Sequence, residues 1–207
     1  MYGRGEKKLK FTVILILVLI TLLVGMRAVG APVEWLVSSQ GNGHQYEVVC
    51  HPRISWTDAE LSARSRGGYL ATLTSQQEND FVGNLAQQTD GIWYLNQWGG
   101  GMGPWIGGFK NEFNSWCWVT GEAMDYTNWT PGEPNNTLGI EDKMNLFGEF
   151  SLMGNSWDDS ANNGLPNFNL YINGYVVEYN AVPEPSSLMA LGSGLVCMIG
   201  MYRRRKY

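Results

Sequence analysis

The 207-residue sequence has few of the residue types that build zinc sites and nucleophilic catalytic centres. It contains three cysteines and two histidines, too few to assemble a zinc site or a Cys/His nucleophile. It also lacks a G-x-S-x-G motif and a phosphate-binding loop. These absences argue against a zinc enzyme, a serine hydrolase and a nucleotide-phosphate-binding protein.

Basic residues are scarce in the middle of the chain. The whole sequence carries 14 Lys and Arg against 19 Asp and Glu, a net charge of −5. Residues 32–182 hold only five basic side chains against 17 acidic ones, a net charge of −12. A domain this acidic repels phosphate backbones, which argues against a nucleic-acid partner, and it attracts divalent cations.

The cysteines are too few for a disulfide framework. Cys197 lies in an apolar tail, so Cys50 and Cys117 are the only possible pair in the middle of the chain. An oxidising compartment would allow one disulfide, but two cysteines without a spacing pattern are equally compatible with free thiols. The sequence leaves both alternatives open.

Residues 1–31 are predicted to be a secretory signal peptide. A basic stretch, "RGEKKLK", precedes the apolar run "FTVILILVLITLLVGM" and the small-residue sequence "AVGA". This order predicts cleavage near Ala31. Because the apolar run is long for a signal peptide, an uncleaved membrane anchor is the alternative.

Residues 182–207 combine the triplet Pro183, Glu184 and Pro185 with a Gly-containing apolar segment and the basic end "RRRK". The segment resembles the PEP-CTERM sorting signals of Gram-negative bacteria. The resemblance implies an exosortase partner during export and contact with the membrane before processing. A simple C-terminal anchor is the alternative, since the basic cluster would hold its end on the cytoplasmic side. Either way, residues 32–181 are expected outside the cytoplasm, at the cell surface or beyond it.

Local signals predict two helices. Thr57 as N-cap, Glu60 as its capping-box partner and Gly67 as the stop predict a helix near 58–66. Ser75 and Glu78 form a second capping box, which predicts a helix near 76–88.

The rest of residues 42–180 is predicted to be β structure with long loops, which makes the domain α+β. The predicted strands lie within 42–50, 105–109, 115–119, 143–147 and 170–179, and residues 69–73 form a link or a strand. Tryptophans are abundant, and each is better interpreted as core than as a sugar-stacking platform. Those predicted to be buried are Trp93, Trp98, Trp105, Trp116, Trp118, Trp129 and Trp157.

Five segments occur in an order and spacing that resemble C-type lectin domains. They are "WTDAELSARSRGGYLATLTSQQENDFV", "WIGGF", "SWCWVTGEAMDYTNWTPGEPNN", "NSWDD" and "GYVVEY". The resemblance covers residues 42–180. It implies a C-type lectin-like fold with two helices, small antiparallel sheets and a long calcium-binding loop.

The resemblance also implies a site in which one Ca²⁺ ion and a carbohydrate share the same ligands. Pro134 is expected to adopt a cis peptide bond that directs its two neighbours to the ion. The implied ligands are Glu133, Asn135, Glu141, Asp158 and Asp159. Calcium prefers such hard oxygens, and four clustered carboxylates would repel one another without a cation. The alternative is that "PGEPNN" is only a turn and "WDDS" only a polar strand end.

The sequence departs from the family pattern at several positions. Asp158 stands where an asparagine is usual, which gives four carboxylates and removes one hydrogen-bond donor to a sugar. The Glu-Pro-Asn triplet implies mannose-, glucose- or fucose-type hydroxyl geometry. Ala63, Lys143 and Val177 stand roughly where disulfide cysteines are expected. Asn136 and Asp142 are candidates for a second calcium site, although solvated loop residues are the favoured interpretation.

Three functions are compatible with these features. The first is a calcium-dependent carbohydrate-binding protein of the cell surface or the extracellular polysaccharide matrix. The second is a protein-binding adhesin or matrix component of the same fold, without sugar binding. The third, glycoside hydrolysis by paired carboxylates, ranks last because carboxylates neutralised by calcium make poor general acids. We therefore expect a binding protein and no enzyme.

Overall fold

The computed structural model describes residues 31–97, 99–148, 154–165 and 170–181. The predicted signal peptide up to residue 30 and the predicted sorting signal, with Pro183, Glu184 and Pro185, lie outside the described residues. Within the described ranges, neither helix has the length and apolar character needed to cross a membrane.

The described residues form two helices and a mixed sheet. The helices are α1 (Trp56–Ser65) and α2 (Gln76–Gln87). The strands are β1 (Val33–Glu34), β2 (Gln45–Cys50), β3 (Tyr69–Leu70), β4 (Tyr94–Leu95), β5 (Gly101–Lys110), β6 (Trp116–Trp118), β7 (Lys143–Gly148), β8 (Ser156–Ser160) and β9 (Gly174–Tyr179). The main path runs β1-β2-β9-β5-β7-β8, with β3 on β9 and with β4 and β6 on β5. The predicted α+β class is confirmed.

Helix α1 begins earlier than predicted. Ser55 is its N-cap, because the Ser55 hydroxyl accepts the Asp58 N–H at 3.0 Å and donates to the Asp58 carboxylate at 2.6 Å. Thr57 instead donates its N–H and hydroxyl to Asn162 Oδ1. The prediction of Thr57 and Glu60 as the capping box is therefore wrong. Ser55, two residues upstream of Thr57, caps the helix instead, with Asp58 as its hydrogen-bond partner.

The other helix signals agree with the structure. Helix α1 stops at Gly67, which has φ +85°; its N–H and that of Gly68 bond to the carbonyls of Arg64 and Ala63. Ser75 caps α2 by accepting the Glu78 N–H at 3.2 Å. The prediction of a second helix from residue 76 is confirmed.

Strand β5 begins at Gly101, four residues before the predicted start at Trp105. Pro104 obscured the beginning of the strand, since proline cannot donate a ladder hydrogen bond. The structure tolerates Pro104 because the β5–β7 register shifts between Met102 and Trp105. At the other end of the chain, β9 is shorter than predicted and begins only at Gly174.

The two helices pack on opposite faces of the sheet. Neighbouring strand residues alternate between two apolar clusters, so that Ile106 packs with α2 and Trp105 packs with α1. Among the predicted core tryptophans, Trp105, Trp118 and Trp157 are fully buried. The half-buried ones are Trp93, Trp116 and Trp129, and Trp98 lies outside the described residues.

Cys50 and Cys117 are free thiols, which decides between the two alternatives left by the sequence. Ala63 and Val177, where family cysteines were expected, are fully buried in the apolar cluster beside α1. In this part of the molecule apolar packing stands where a disulfide was expected.

A buried carboxylate ties β9 to its neighbours. Glu178 is 2% exposed and accepts the Thr72 N–H at 2.8 Å. His44 Nδ1 lies 2.6 Å from its other oxygen, to which Tyr69 also donates. The hydrogen bond to Glu178 raises the pKa of His44, while burial raises the pKa of Glu178. The pair is therefore most favourable when His44 carries a proton.

We predict that His44→Gln weakens the pH dependence of folding stability. Because the pKa of His44 is raised above 6.5, the contribution of the ion pair is complete below that pH and declines as the pH rises through the raised value. For a partly exposed pair we expect about 0.5–1 kcal/mol, or about 2–3 °C in Tm. Thermal unfolding from pH 5.5 to 8 measures this, with His51→Gln as the control. Equal pH profiles for wild type and His44→Gln would contradict the prediction.

Candidate functional site

The long loop between β6 and β7 is joined to β8 by backbone hydrogen bonds. Trp157 in β8 donates its N–H to the Asn128 carbonyl at 2.8 Å and accepts the Thr130 N–H at 2.9 Å. The loop therefore runs beside β8 immediately before it reaches Glu133. This contact brings together the two polar segments that the sequence analysis singled out.

The buried side chain of Trp157 anchors β8 to the core. It is fully buried, and its indole N–H donates to Asn79 Oδ1 in α2 at 2.7 Å. The rings of Trp118, Tyr126 and Trp129 meet it edge-on, with centroids 5.4, 5.5 and 5.7 Å away. Because Asp158 and Asp159 follow directly, this packing fixes their backbone.

The loop closes over the Asp159 carboxylate. The Glu133–Pro134 peptide bond is cis. After it, the Asn135 N–H donates to Asp159 Oδ1 at 2.9 Å and the Asn136 N–H donates to Asp159 Oδ2 at 3.1 Å. Asp159 is 1% exposed, so these backbone donors satisfy a buried carboxylate and clamp the loop to the strand.

Three of the five predicted ligands form a compact oxygen cluster. Glu133, Asp158 and Asp159 each present a carboxylate oxygen, and these atoms lie within 4.8 Å of one another. Oxygens that share one calcium ion at about 2.3–2.6 Å lie at most about 5 Å apart. The spacing and the all-oxygen donor set therefore fit one hard cation. Among the described residues, no other group of three His, Cys, Asp or Glu side chains meets this spacing.

The other two predicted ligands, Asn135 and Glu141, both accept hydrogen bonds from Thr137. Asn135 Oδ1 accepts the Thr137 N–H at 2.8 Å and its hydroxyl at 2.5 Å. Glu141 Oε2 accepts the same N–H at 2.7 Å. The sequence analysis missed Thr137, whose only signal was its position between two predicted ligands.

Two carboxylates of the cluster, Glu133 and Asp158, line a cavity of about 340 Å³. This volume is within the range of small-molecule sites. The other polar lining residues are Asn96, Asn135, Thr137 and Glu141, and the apolar ones are Met102, Phe147, Leu165 and Leu170.

Asn136 and Asp142 stand outside the oxygen cluster. Asn136 adopts φ +51°, and its Oδ1 accepts the Glu141 N–H at 3.0 Å. Asp142 pairs with Lys143 at 3.0 Å. These contacts agree with the interpretation of both residues as loop residues.

Burial and mutual repulsion oppose full ionisation of the cluster. Burial, helped by the Asp159 charge, raises the pKa of Glu141 to about 7. Burial and the charges of Glu133, Glu141 and Asp159 raise the pKa of Asp158 well above its usual range. Burial and Asp159 also raise the pKa of Glu133. Without a cation, these four carboxylates are not all ionised at neutral pH.

One basic side chain adjoins the cluster. Lys110 Nζ lies 3.6 Å from Asp159 Oδ2 and donates to the Glu141 carbonyl at 3.1 Å. The sequence analysis did not assign Lys110 to the site. The available signal was rarity, because residues 32–182 contain only two lysines.

Two family models match this chain. The model for the lectin C-type domain matches residues 53–163, and the model for the PEP-CTERM protein-sorting motif matches residues 181–206. Both predicted resemblances are confirmed.

The chain is also similar to curated proteins. It is 38% identical over 88 residues to ladderlectin from Oncorhynchus mykiss, and the aligned region covers 42% of each chain. It is 29% identical over 155 residues to halomucin from Haloquadratum walsbyi, which covers 72% of this chain and 2% of halomucin. The chain thus spans less than half the length of either relative.

Solved structures share the fold. The cow C-type carbohydrate-recognition domain of CD23, solved in the presence of a GlcNAc2Man3 oligosaccharide, superposes with a TM-score of 0.51 at 24% identity, covering 68% of this chain and 90% of that one. A calcium-independent type II antifreeze protein superposes with a TM-score of 0.52 at 20% identity, covering 75% and 98%. At these identities, the likeness establishes the fold alone.

We predict that Glu141→Gln stabilises the chelator-treated protein at high pH. The folded pKa of about 7 exceeds the ordinary value of 4.5, so stability is highest below pH 4.5 and declines as the pH rises through 7. Glutamine keeps the bond to Thr137 without the charge. Between pH 5.5 and 8 we expect the Tm of the variant to fall about 3 °C less than that of wild type. Scanning calorimetry in EDTA measures this, and the exposed Glu112→Gln should follow wild type. A Glu141→Gln profile parallel to wild type would refute it.

Proposed function

Because this chain belongs to the C-type lectin domain family, we propose that residues 32–181 bind carbohydrate in a calcium-dependent manner. One observation carries the proposal: the oxygens of Glu133, Asp158 and Asp159 lie within 4.8 Å of one another, beside a cavity of about 340 Å³. The other two proposed ligands are Asn135 and Glu141. That the cow CD23 domain was solved in the presence of an oligosaccharide supports carbohydrate as the partner class.

The side chains of the site serve two tasks in this proposal, which are holding the ion and hydrogen-bonding the sugar. Calcium, when bound, neutralises the carboxylates and offers coordination positions to two vicinal hydroxyls of a saccharide. Glu133 and Glu141 accept hydrogen bonds from those hydroxyls. The amide of Asn135, which now donates to Glu133 at 2.8 Å, supplies a donor. The Glu-Pro-Asn triplet supports mannose-, glucose- or fucose-type sugars.

The PEP-CTERM motif supports export and sorting to the cell envelope. We propose that residues 1–31 direct export and that an exosortase recognises the tail, with membrane contact before processing. The carbohydrate partner is then a polysaccharide or glycoconjugate of the cell surface or extracellular matrix.

A second candidate is binding to protein without sugar. Asp158 supports it, because this half-buried carboxylate stands where a hydrogen-bond donor to the sugar is usual. The structural likeness to a calcium-independent antifreeze protein also supports a function of this fold that does not depend on calcium. Under either candidate we propose no catalytic step, since the carboxylates are occupied by backbone donors or a cation.

The main test is calcium titration of the full chain with and without mannose. We expect calcium to bind with a Kd of about 0.1–1 mM, as in extracellular modules, and glycan binding to disappear in EDTA. Glu133→Gln should weaken calcium binding at least about tenfold, since it removes a charged ligand. Glu112→Gln, an exposed charge change outside the site, is the control. Chelator-insensitive adhesion to protein would favour the second candidate, and release of reducing sugar would favour an enzyme.

We predict that Asp158→Asn increases sugar affinity while decreasing calcium affinity. The substitution restores a hydrogen-bond donor and removes one negative charge, so about threefold tighter mannose binding at saturating calcium is expected. Isothermal titration measures both constants. Unchanged mannose affinity would count against the donor argument.

A further inference from the structure

We propose that Lys110 is an internal counter-ion of the candidate metal site. Its ammonium positions Asp159 and the 133–142 loop in the absence of calcium, and the same charge keeps calcium affinity low. The proposal rests on the proposed function for its calcium arm. Lys110 is the last residue of β5, and its side chain is 13% exposed. The side chain is therefore largely buried, and its ammonium is directed toward the acidic cluster.

Three contacts fix the ammonium. It lies 3.6 Å from Asp159 Oδ2, donates to the Glu141 carbonyl at 3.1 Å and sits 5.0 Å from the centre of the Trp116 ring. The first two join one side chain to β8 and to the end of the loop. Lys110 also donates its backbone N–H to the Asp142 carbonyl at 2.9 Å. Lys110 thus connects β5 to both polar segments of the site.

The position of the charge gives Lys110 two opposite effects. In the cation-free protein, the ammonium offsets part of the repulsion among the buried carboxylates, and Asp159 can keep the backbone bonds to Asn135 and Asn136. When a divalent ion enters, the same ammonium repels it through a poorly solvated region. The loop is therefore formed before the ion binds, and the ion binds more weakly than four carboxylates alone would allow.

A purely structural lysine would behave differently. If Lys110 only packed against Trp116 and supported the loop, its removal would lower calcium affinity. If it acts as a counter-ion, its removal raises calcium affinity although the cation-free loop becomes looser. The opposite signs of these two outcomes make the calcium constant the decisive measurement.

Lys143 provides a matched control. It is the other lysine of the domain, lies on the adjacent strand opposite Phe109, and is 14% exposed. Its ammonium contacts Asp142 at 3.0 Å and lies over Trp56, outside the oxygen cluster. Lys143→Met therefore makes the same chemical change at nearly equal burial without contacting any of the five proposed ligands.

The experiment compares wild type, Lys110→Met, Lys110→Arg and Lys143→Met in the full chain. Methionine keeps the unbranched apolar stem beside Trp116 and removes the charge together with the hydrogen bond to the Glu141 carbonyl. For Lys110→Met we expect about tenfold tighter calcium binding by calorimetry, since one repelling charge near the ion is lost. In EDTA we expect chymotrypsin to cleave this variant after Leu138, which is 67% exposed, at least about fivefold faster than wild type because the loop has lost its anchor. Lys110→Arg and Lys143→Met should stay close to wild type in both assays.

Unchanged or weaker calcium binding by Lys110→Met would overturn the counter-ion role, and so would an equal gain in Lys143→Met. If Lys110→Met fails to fold, as judged by near-UV circular dichroism, Lys110→Gln provides the same comparison. The proteolysis arm needs no calcium. If wild type binds no calcium, the proposed function fails, whereas loop cleavage in EDTA still decides whether Lys110 anchors the loop.

Discussion

The clamp of the long loop on Asp159 is the constraint on which the site depends. Two successive backbone N–H groups, from Asn135 and Asn136, enclose one buried carboxylate at 2.9 and 3.1 Å. Trp157 fixes the other side of this contact, because its buried indole anchors β8 to α2. The side chains on either side of the clamp therefore converge without relying on a disulfide between the loop and the strand.

The same clamp brings several carboxylates close together, and their mutual repulsion opposes the folded arrangement. The clamp concentrates these carboxylates in a poorly solvated cluster. Burial and mutual repulsion raise the pKa values of Glu133, Glu141 and Asp158 there, which opposes ionisation of all of them at once. A divalent cation would offset more of the repulsion than the single charge of a nearby ammonium, which offsets a part of it. Lys110 supplies this ammonium from within the chain. The shape of the loop therefore depends only weakly on whether the site holds an ion.

Local signals in the sequence predicted the elements that local chemistry determines. The Ser75 cap of α2 and the Gly67 stop of α1 follow from backbone requirements within a few residues. The cap of α1 was misplaced because Ser55 and Thr57 are both good caps, and a tertiary contact from Asn162 decides between them. Local signals could not place Lys110 at the site for the same reason, since nothing near it in sequence shows that its ammonium reaches Asp159 in β8 across β7.

A site that is formed in advance can be weak and still specific. Calcium at ten times its dissociation constant adds only about 1.4 kcal/mol to folding stability, so the fold must be stable through its aromatic core and buried hydrogen bonds. Because the loop is already ordered, little of the binding free energy is lost to ordering it. Under the proposed function, a weak ion site in this loop would release and rebind its ion without unfolding, and the loop would keep its shape when the calcium concentration changes.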